Sequence, residues 1–205
     1  MAFGDSMTAG TTSPALPMFR LDAGIPQSYP FKLETAFAGR YTAQTISVYN
    51  CGKPAERATA GRDRFNENMS EAQPDIILLM DGANDLLALT GEDSDAAIDN
   101  ALRRATDALE DMVRDATARG IPVLLATLPP QRASGSRGGG AAFVSRYNDG
   151  LKAMAAKKGA GIVDLYAEVA LSFVGQDGLH LTEDGNGRLA DVFGAALIER
   201  YEDKN

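Results

Sequence analysis

Short apolar runs alternate along the chain with longer segments in which apolar residues recur every three or four positions. The clearest run is Asp75–Met80, which holds four consecutive aliphatic residues from Ile76 to Leu79. Continuous runs of this kind predict parallel strands that are buried on both faces of a sheet. Further strands are predicted at Met1–Phe3, Thr45–Tyr49, Ile121–Thr127 and Gly161–Leu165.

Helical periodicity is clearest over Ser94–Arg119, where apolar residues form one stripe and a basic residue precedes the stop at Gly120. The other predicted helices are Tyr29–Ala38, Ala60–Ala72, Ala142–Lys158 and Glu183–Glu202, with Ser28 and Thr182 as candidate N-caps. Alternation of strands and helices predicts an α/β fold, a three-layer α/β/α sandwich with a mainly parallel sheet of about five strands. We expect one domain over residues 1–205.

Composition excludes several functional classes. Lys and Arg number 20 against 28 Asp and Glu, and the formal net charge of −8 argues against binding to nucleic acid. One Cys and one His cannot form a typical structural zinc site, and no nucleotide-binding glycine motif is present. No apolar run is long enough to span a membrane. A carboxylate-only site for Mg²⁺ or Ca²⁺ stays open, although no EF-hand spacing is present. Our expectation is that the protein uses neither a metal nor another cofactor.

The first predicted strand is short, because only three residues precede Gly4, whereas buried strands usually have about five. Two explanations stay open. Either upstream residues such as an export signal have been removed, which would make the protein periplasmic or secreted, or the strand is naturally short and the protein is cytoplasmic.

The single histidine, His180, is the one residue suited to take a proton from a serine near neutral pH. Asp177 precedes it by three residues, a spacing that lets a carboxylate return to one imidazole nitrogen in a turn before a helix. Ser6 follows the first predicted strand, at the sheet edge where open α/β folds place their sites. These three residues are the candidate base, orienting acid and nucleophile.

Three short blocks together resemble those of the SGNH/GDSL hydrolase superfamily over nearly the whole chain. Gly4-Asp5-Ser6-Met7 is similar to the first block, with Met in place of the usual Leu. Gly82-Ala83-Asn84-Asp85 is similar to the G-x-N-D block, and Asp177-Gly178-Leu179-His180 to the closing D-x-x-H block. The resemblance implies a flavodoxin-like fold and a GDSL-type esterase or lipase.

The remaining family block, N-x-G-x-x-G, is altered here. Its last glycine, which in the family donates a backbone N–H to the oxyanion hole, is replaced by Ala55. Alanine keeps that N–H but would be strained at a positive φ. The resemblance implies Ser6, Ala55 and Asn84 as the oxyanion donors, with Gly52 as second choice for the loop donor.

The resemblance implies hydrolysis of carboxylic esters by Ser6, His180 and Asp177 through an acyl-enzyme, without a cofactor. Alternatives on the same site are a carbohydrate O-deacetylase, a lysophospholipase or a thioesterase, so the partner would be a small ester, an acylated carbohydrate or a lipid. A non-catalytic binding domain on this fold is the alternative of another class. The natural substrate and the oligomeric state stay open.

Three loops would shape the substrate site: Thr8–Gln27, Leu86–Asp93 and Pro129–Gly140. The first carries apolar residues that either cover a substrate pocket or cap the core. The Gly- and Ser-rich stretch Ser134–Gly140 is expected to be a mobile loop. Asp81, an acid at the end of an apolar strand, is expected at the rim of the site.

Overall fold

The computed structural model of the protein describes residues 1–16 and 24–202, and its centre is a parallel sheet. The five strands lie in the order β2-β1-β3-β4-β5, and each neighbouring pair is parallel. This order confirms the predicted α/β class and is that of flavodoxin-like sheets. The strands are β1 Ala2–Gly4, β2 Asn50–Gly52, β3 Ile77–Met80, β4 Val123–Ala126 and β5 Gly161–Val163.

Helices cover both faces of the sheet. Helices α2 and α8 pack together, whereas α5 packs between α3 and α6, so that the three-layer arrangement is confirmed. The helices are α1 Ser6–Ala9, α2 Tyr29–Arg40, α3 Ala58–Ala72, α4 Ala83–Leu87, α5 Asp95–Ala118, α6 Val144–Lys158, α7 Leu165–Glu168 and α8 Glu183–Tyr201. A 3₁₀ helix at Gly138–Phe143 precedes α6, and a shorter one lies at Leu171–Phe173.

Apolar side chains on both faces of the sheet form the core. The predicted stripe of α5 is buried along its whole length, from Ile98 to Ala116. Phe3 of β1 meets Phe65 of α3 edge to face, with ring centroids 5.0 Å apart. On the other face Tyr29 of α2 stacks on Phe193 of α8, also at 5.0 Å. Burial of this kind is the main source of stability for short strands and helices.

One element prediction is wrong, and a second is matched only in part. The predicted strand Thr45–Tyr49 is irregular, and β2 begins after it, at Asn50. The physical reason is that the Val48 N–H donates to the Glu34 carboxylate of α2 at 2.6 Å rather than to a neighbouring strand. The stretch Ser134–Gly140, predicted as a loop before a helix, begins as a loop but ends in the 3₁₀ helix at Gly138–Phe143, in which Gly138 and Gly140 are buried.

The carboxyl ends of β1 and β3 are neighbours at the centre of the sheet, where the strand order reverses. Open α/β sheets bind their ligands at such a point. No helix in residues 1–16 and 24–202 is long and apolar enough to cross a membrane. Residues 17–23 of the apolar loop Thr8–Gln27 lie outside the described residues. The prediction that this loop covers a pocket therefore falls outside the described structure as well.

Candidate active site

Ser6 begins α1 directly after β1. The Asp5 carboxylate caps this helix by accepting the Met7 N–H at 3.0 Å, and Gly10 ends it in the left-handed conformation after one turn. Gly4 allows β1 to lie against β3, because a Cβ there would stand 1.9 Å from the Met80 carbonyl oxygen. Ser6 is thus held in a fixed turn at the carboxyl edge, and only 4% of its surface is exposed.

His180 and Asp177 complete a chain of hydrogen bonds with Ser6. The imidazole Nε2 lies 2.8 Å from Ser6 Oγ, and Nδ1 lies 2.6 Å from Asp177 Oδ2. Because a carboxylate can only accept, Nδ1 carries the ring proton and Nε2 presents its lone pair to the serine hydroxyl. The structure therefore brings together all three residues that the sequence analysis selected, across 174 positions of chain.

The other Asp177 oxygen fixes the turn in which both residues lie. Oδ1 accepts the backbone N–H groups of Leu179 at 3.0 Å and His180 at 2.9 Å. Partial burial acts to raise the pKa of Asp177, but the hydrogen bonds from the His180 ring and these two N–H groups hold it below its ordinary value. Asp177 is therefore ionised at neutral pH and orients the imidazole.

Asn84 lies in the first turn of α4, next to the serine turn. Its Nδ2 donates to the Glu56 carbonyl oxygen at 2.8 Å and has a long contact of 3.5 Å with Asp5 Oδ2. The second contact is at the limit of hydrogen bonding. One amide N–H is therefore fixed by the backbone of the neighbouring loop, and the other is held only weakly.

The loop after β2 forms a tight turn in which Glu56 N–H donates to the Lys53 carbonyl at 3.3 Å. Pro54 takes the second position, which suits its fixed φ, and Ala55 takes the third with φ +64°. Ala55 therefore has the positive φ at which strain is expected, since L-residues rarely adopt this region. Gly52 is placed differently: its N–H donates to Asn50 Oδ1 at 3.0 Å, and a Cβ there would stand 2.1 Å from Ala9 N.

Several carboxyl groups lie buried beneath these turns. Burial raises the pKa of Asp5 to about 7 despite its hydrogen bonds to backbone N–H groups. Asp81 is fully buried rather than at the rim, and burial holds its pKa well above the ordinary value. The prediction for Asp81 is wrong because the residue continues the line of β3 under the helices, where Gly61 leaves room for its carboxyl group.

Sequence reasoning missed Glu56 and Arg64, two polar side chains that support the site. Arg64 of α3 donates to the buried Glu56 carboxylate at 2.6 Å and to the Gly4 carbonyl at 3.2 Å, which joins two of the site loops. Asp85 accepts the Ala58 N–H at 2.9 Å and joins α4 to α3. No short motif marks Glu56 or Arg64 as partners. Within the described part of the chain no group of three or more His, Cys, Asp or Glu could hold a metal ion.

The chain is similar to one protein family and to several solved structures. The model of the GDSL-like lipase/acylhydrolase family matches residues 2–188. A search of curated proteins finds no match. A lipase/acylhydrolase from Enterococcus faecalis is a similar solved structure, with 22% identity, a TM-score of 0.73 and coverage of 100% of this chain and 97% of that one.

Two carbohydrate esterases have the same fold. A carbohydrate acetylesterase from Sinorhizobium meliloti aligns at 18% identity and a TM-score of 0.76, with 98% of each chain covered. An acetyl xylan esterase from Geobacillus stearothermophilus aligns at 19% and 0.72, with 96% of this chain and 92% of that one covered. These likenesses establish the fold, and the family match covers most of the chain. The protein belongs to the GDSL-like lipase/acylhydrolase family and is a hydrolase that acts on ester bonds.

Proposed function

We propose that the protein is a serine esterase that cleaves carboxylic esters through Ser6, His180 and Asp177 and an acyl-enzyme intermediate. The observation that carries this proposal is the unbroken chain from Ser6 Oγ to His180 at 2.8 Å and on to Asp177 at 2.6 Å. Nucleophile, base and orienting acid lie within hydrogen-bond distance of one another, which is the geometry that acyl transfer requires.

In the acylation step, Ser6 Oγ attacks the ester carbonyl carbon while His180 Nε2 takes the hydroxyl proton. The carbonyl π electrons move to oxygen and give a tetrahedral oxyanion, and the ionised Asp177 stabilises the imidazolium. When the C–O bond to the alcohol breaks, the imidazolium returns the proton to the leaving oxygen. Ser6 is left acylated and His180 is neutral again.

The oxyanion would be received by the backbone N–H groups of Ser6 and Ala55 and by the side-chain amide of Asn84. Ala55 is the better loop donor, because its N–H makes no backbone hydrogen bond within the described residues, whereas that of Gly52 is held by Asn50 Oδ1. The weakly held second N–H of Asn84 can turn to the oxyanion at little cost. One such donor typically contributes about 10²–10³ in kcat.

In the deacylation step, water takes the place of the alcohol. His180 accepts a proton from the water as its oxygen attacks the acyl carbon, and the same donors hold the second oxyanion. Collapse of this intermediate releases the carboxylic acid, and the proton on His180 returns to Ser6 Oγ. Every proton transfer uses a group of the chain or of water, so the proposed reaction needs no cofactor.

The proposal is tested with Ser6→Ala and p-nitrophenyl acetate as substrate. Loss of the nucleophile is expected to lower kcat by about 10⁴–10⁶. Ser70→Ala, on the exposed face of α3, is the matched control and should keep full activity. A Ser6→Ala protein with the wild-type rate would overturn the proposal, and a wild-type protein without hydrolysis would favour the binding-domain alternative.

A second candidate is O-deacetylation of carbohydrates. Two of the similar solved structures are described as a carbohydrate acetylesterase and an acetyl xylan esterase. Ser6 and His180 are each only 4% exposed, which favours a short acyl group on a reachable ester. A series of p-nitrophenyl acetate, butyrate and octanoate, with acetylated xylan beside it, tests this: steep preference for acetyl supports it, and faster cleavage of octanoate contradicts it.

A further inference from the structure

The residues Asp177 and His180 lie in a closed turn, residues 175–181, which we call the histidine turn. Its ends are joined by the Gly175 N–H, which donates to the His180 carbonyl at 2.8 Å, and by a bridge between Val174 and Leu181. These bonds close the turn on itself but leave the carbonyl groups of Asp177 and Gly178 facing outward. Contacts outside the turn therefore hold it against the rest of the protein.

The outward carbonyls are bound by residues 129–137, which we call the arginine loop. The Arg132 N–H donates to the Gly178 carbonyl at 2.9 Å, and the Arg137 N–H donates to the Asp177 carbonyl at 2.7 Å. The contact is backbone to backbone, since a Cβ at Gly135 would stand 2.5 Å from the Asp177 carbonyl carbon. A Cβ at Gly178 would stand 2.6 Å from the Ser134 carbonyl oxygen.

The Arg132 side chain fixes the arginine loop to the segment that leads into the histidine turn. Its Nε donates to the Val174 carbonyl at 2.8 Å and its Nη2 to the Leu171 carbonyl at 2.9 Å. In the described part of the chain Arg132 forms no ion pair, so its charge is directed at these carbonyl oxygens. Hydrogen bonds from a charged donor are the stronger kind, and a planar guanidinium can hold two acceptors in a fixed geometry.

We propose that Arg132 is a positioning residue for the active site: it fixes the arginine loop on the Leu171–Val174 segment and thereby holds the histidine turn at Ser6. The inference rests on the proposed function of that site. Its physical basis is that catalysis depends on the His180–Ser6 distance, since displacement of a reacting group by about 1 Å can cost about 10²-fold in rate. Arg132 itself does not contact Ser6 or His180.

The test compares Arg132→Met, Arg132→Lys and the control Arg103→Met. Arg103 is exposed on α5, and its guanidinium donates only to Asp107 and Asn100, which lie outside the site. With p-nitrophenyl acetate we expect Arg132→Met to lower kcat by about 10–100-fold and to change KM less than threefold. Arg132→Lys, which can reach one carbonyl but not both, should recover part of the loss. Arg103→Met should match the wild type.

A second readout does not depend on turnover. His180 is the only histidine, so the imidazole ¹H–¹⁵N NMR spectrum of untagged protein contains one set of ring signals. The wild type should show the proton on Nδ1 that the hydrogen bond to Asp177 requires. In Arg132→Met these signals should broaden or split. A residue that only supports stability would lower the melting temperature without changing the spectrum of the folded protein.

The outcomes separate this inference from the proposed function. If Ser6→Ala is inactive while Arg132→Met keeps wild-type kcat and an unchanged imidazole spectrum, the inference is wrong and the esterase proposal stands. A rise in KM alone would also overturn it, because Arg132 would then contact substrate. If Ser6→Ala keeps wild-type activity, the proposed function fails whatever Arg132 does. If Arg132→Met does not fold, Arg132→Lys provides the test. A partial loss in kcat in this variant supports the inference, and wild-type kcat overturns it.

Discussion

Asp177→Asn is the substitution for which the structure predicts the most specific result. The carboxylate holds three donors: the backbone N–H groups of Leu179 and His180 on Oδ1, and the imidazole N–H of His180 on Oδ2. An asparagine can keep the Oδ1 contacts only if its carbonyl oxygen takes that side. Its NH₂ group then faces His180 Nδ1, donor against donor, unless the ring proton moves to Nε2.

The other orientation of the amide costs more. Turning the NH₂ group toward the backbone would lose two hydrogen bonds, each worth about 1 kcal/mol, and would leave two donors without an acceptor. The ring proton therefore moves to Nε2, which faces Ser6 at 2.8 Å and can no longer accept its proton. We expect kcat to fall about 10³–10⁴-fold, equivalent to about 4–5.5 kcal/mol of transition-state stabilisation.

The fold should survive this change. The lowered pKa of Asp177 means that its ionised form stabilises the folded protein above the pKa of the unfolded chain, so the amide should lower the melting temperature by only a few degrees. The assay is steady-state hydrolysis of p-nitrophenyl acetate beside a thermal melt, with the exposed Asp191→Asn of α8 as charge-matched control. An Asp177→Asn protein within tenfold of wild-type kcat would show that Asp177 does not set the position of the ring proton on His180.

Three further predictions concern the loops around the site. Ala55→Gly should raise the free energy of unfolding by about 0.5–1 kcal/mol, because relief of the positive φ of +64° exceeds the entropy cost of glycine. Activity should persist, and a lower melting temperature in a thermal melt would count against this prediction. Asn84→Ala should lower kcat by about 10²–10³ with KM little changed, and an unchanged kcat would remove Asn84 from the oxyanion hole. Asp81 has a raised pKa, so the folded state binds a proton that the unfolded state releases, and stability falls as pH rises above about 4. Asp81→Asn should therefore raise the free energy of unfolding at pH 8. It should also reduce the fall of that free energy with pH by up to about 1.4 kcal/mol per pH unit, measured by urea unfolding. An unchanged pH dependence would contradict this prediction.

The sequence predicts elements best where local pattern and burial agree. The α5 stripe and the run before Met80 predict a helix and a strand that the structure contains, because their side chains fill the core whatever the neighbouring loops do. The pattern fails at Thr45–Tyr49. There a helix carboxylate, Glu34, takes the Val48 N–H, and no feature of the five residues themselves indicates that tertiary contact.

The same distinction applies to the site. The site residues lie in short sequence blocks that follow a strand or precede a helix, namely Ser6, Asn84 and the Asp177–His180 pair. The sequence therefore indicates them one by one, and the topology of the sheet brings them together. The supports come from long-range contacts that no local pattern specifies, such as Arg64 to the Gly4 carbonyl across 60 positions. The glycines at 138–140 indicate flexibility by composition. In the structure, a Cβ at Gly138 would overlap the Arg132 carbonyl oxygen and one at Gly140 would stand 2.9 Å from Gln131 Oε1, so close packing favours small residues at these two positions.

The role of Ser6 as nucleophile is tested most directly by locating the covalent adduct after reaction with a fluorophosphonate probe. The tryptic peptide Met1–Arg20 contains Ser6 and one other serine, Ser13, and fragment ions in mass spectrometry distinguish them. We expect stoichiometric loss of esterase activity with the adduct on Ser6, and labelling at least about 10³-fold slower in His180→Ala. An adduct on any other residue, or full activity in protein labelled at Ser6, would contradict that role.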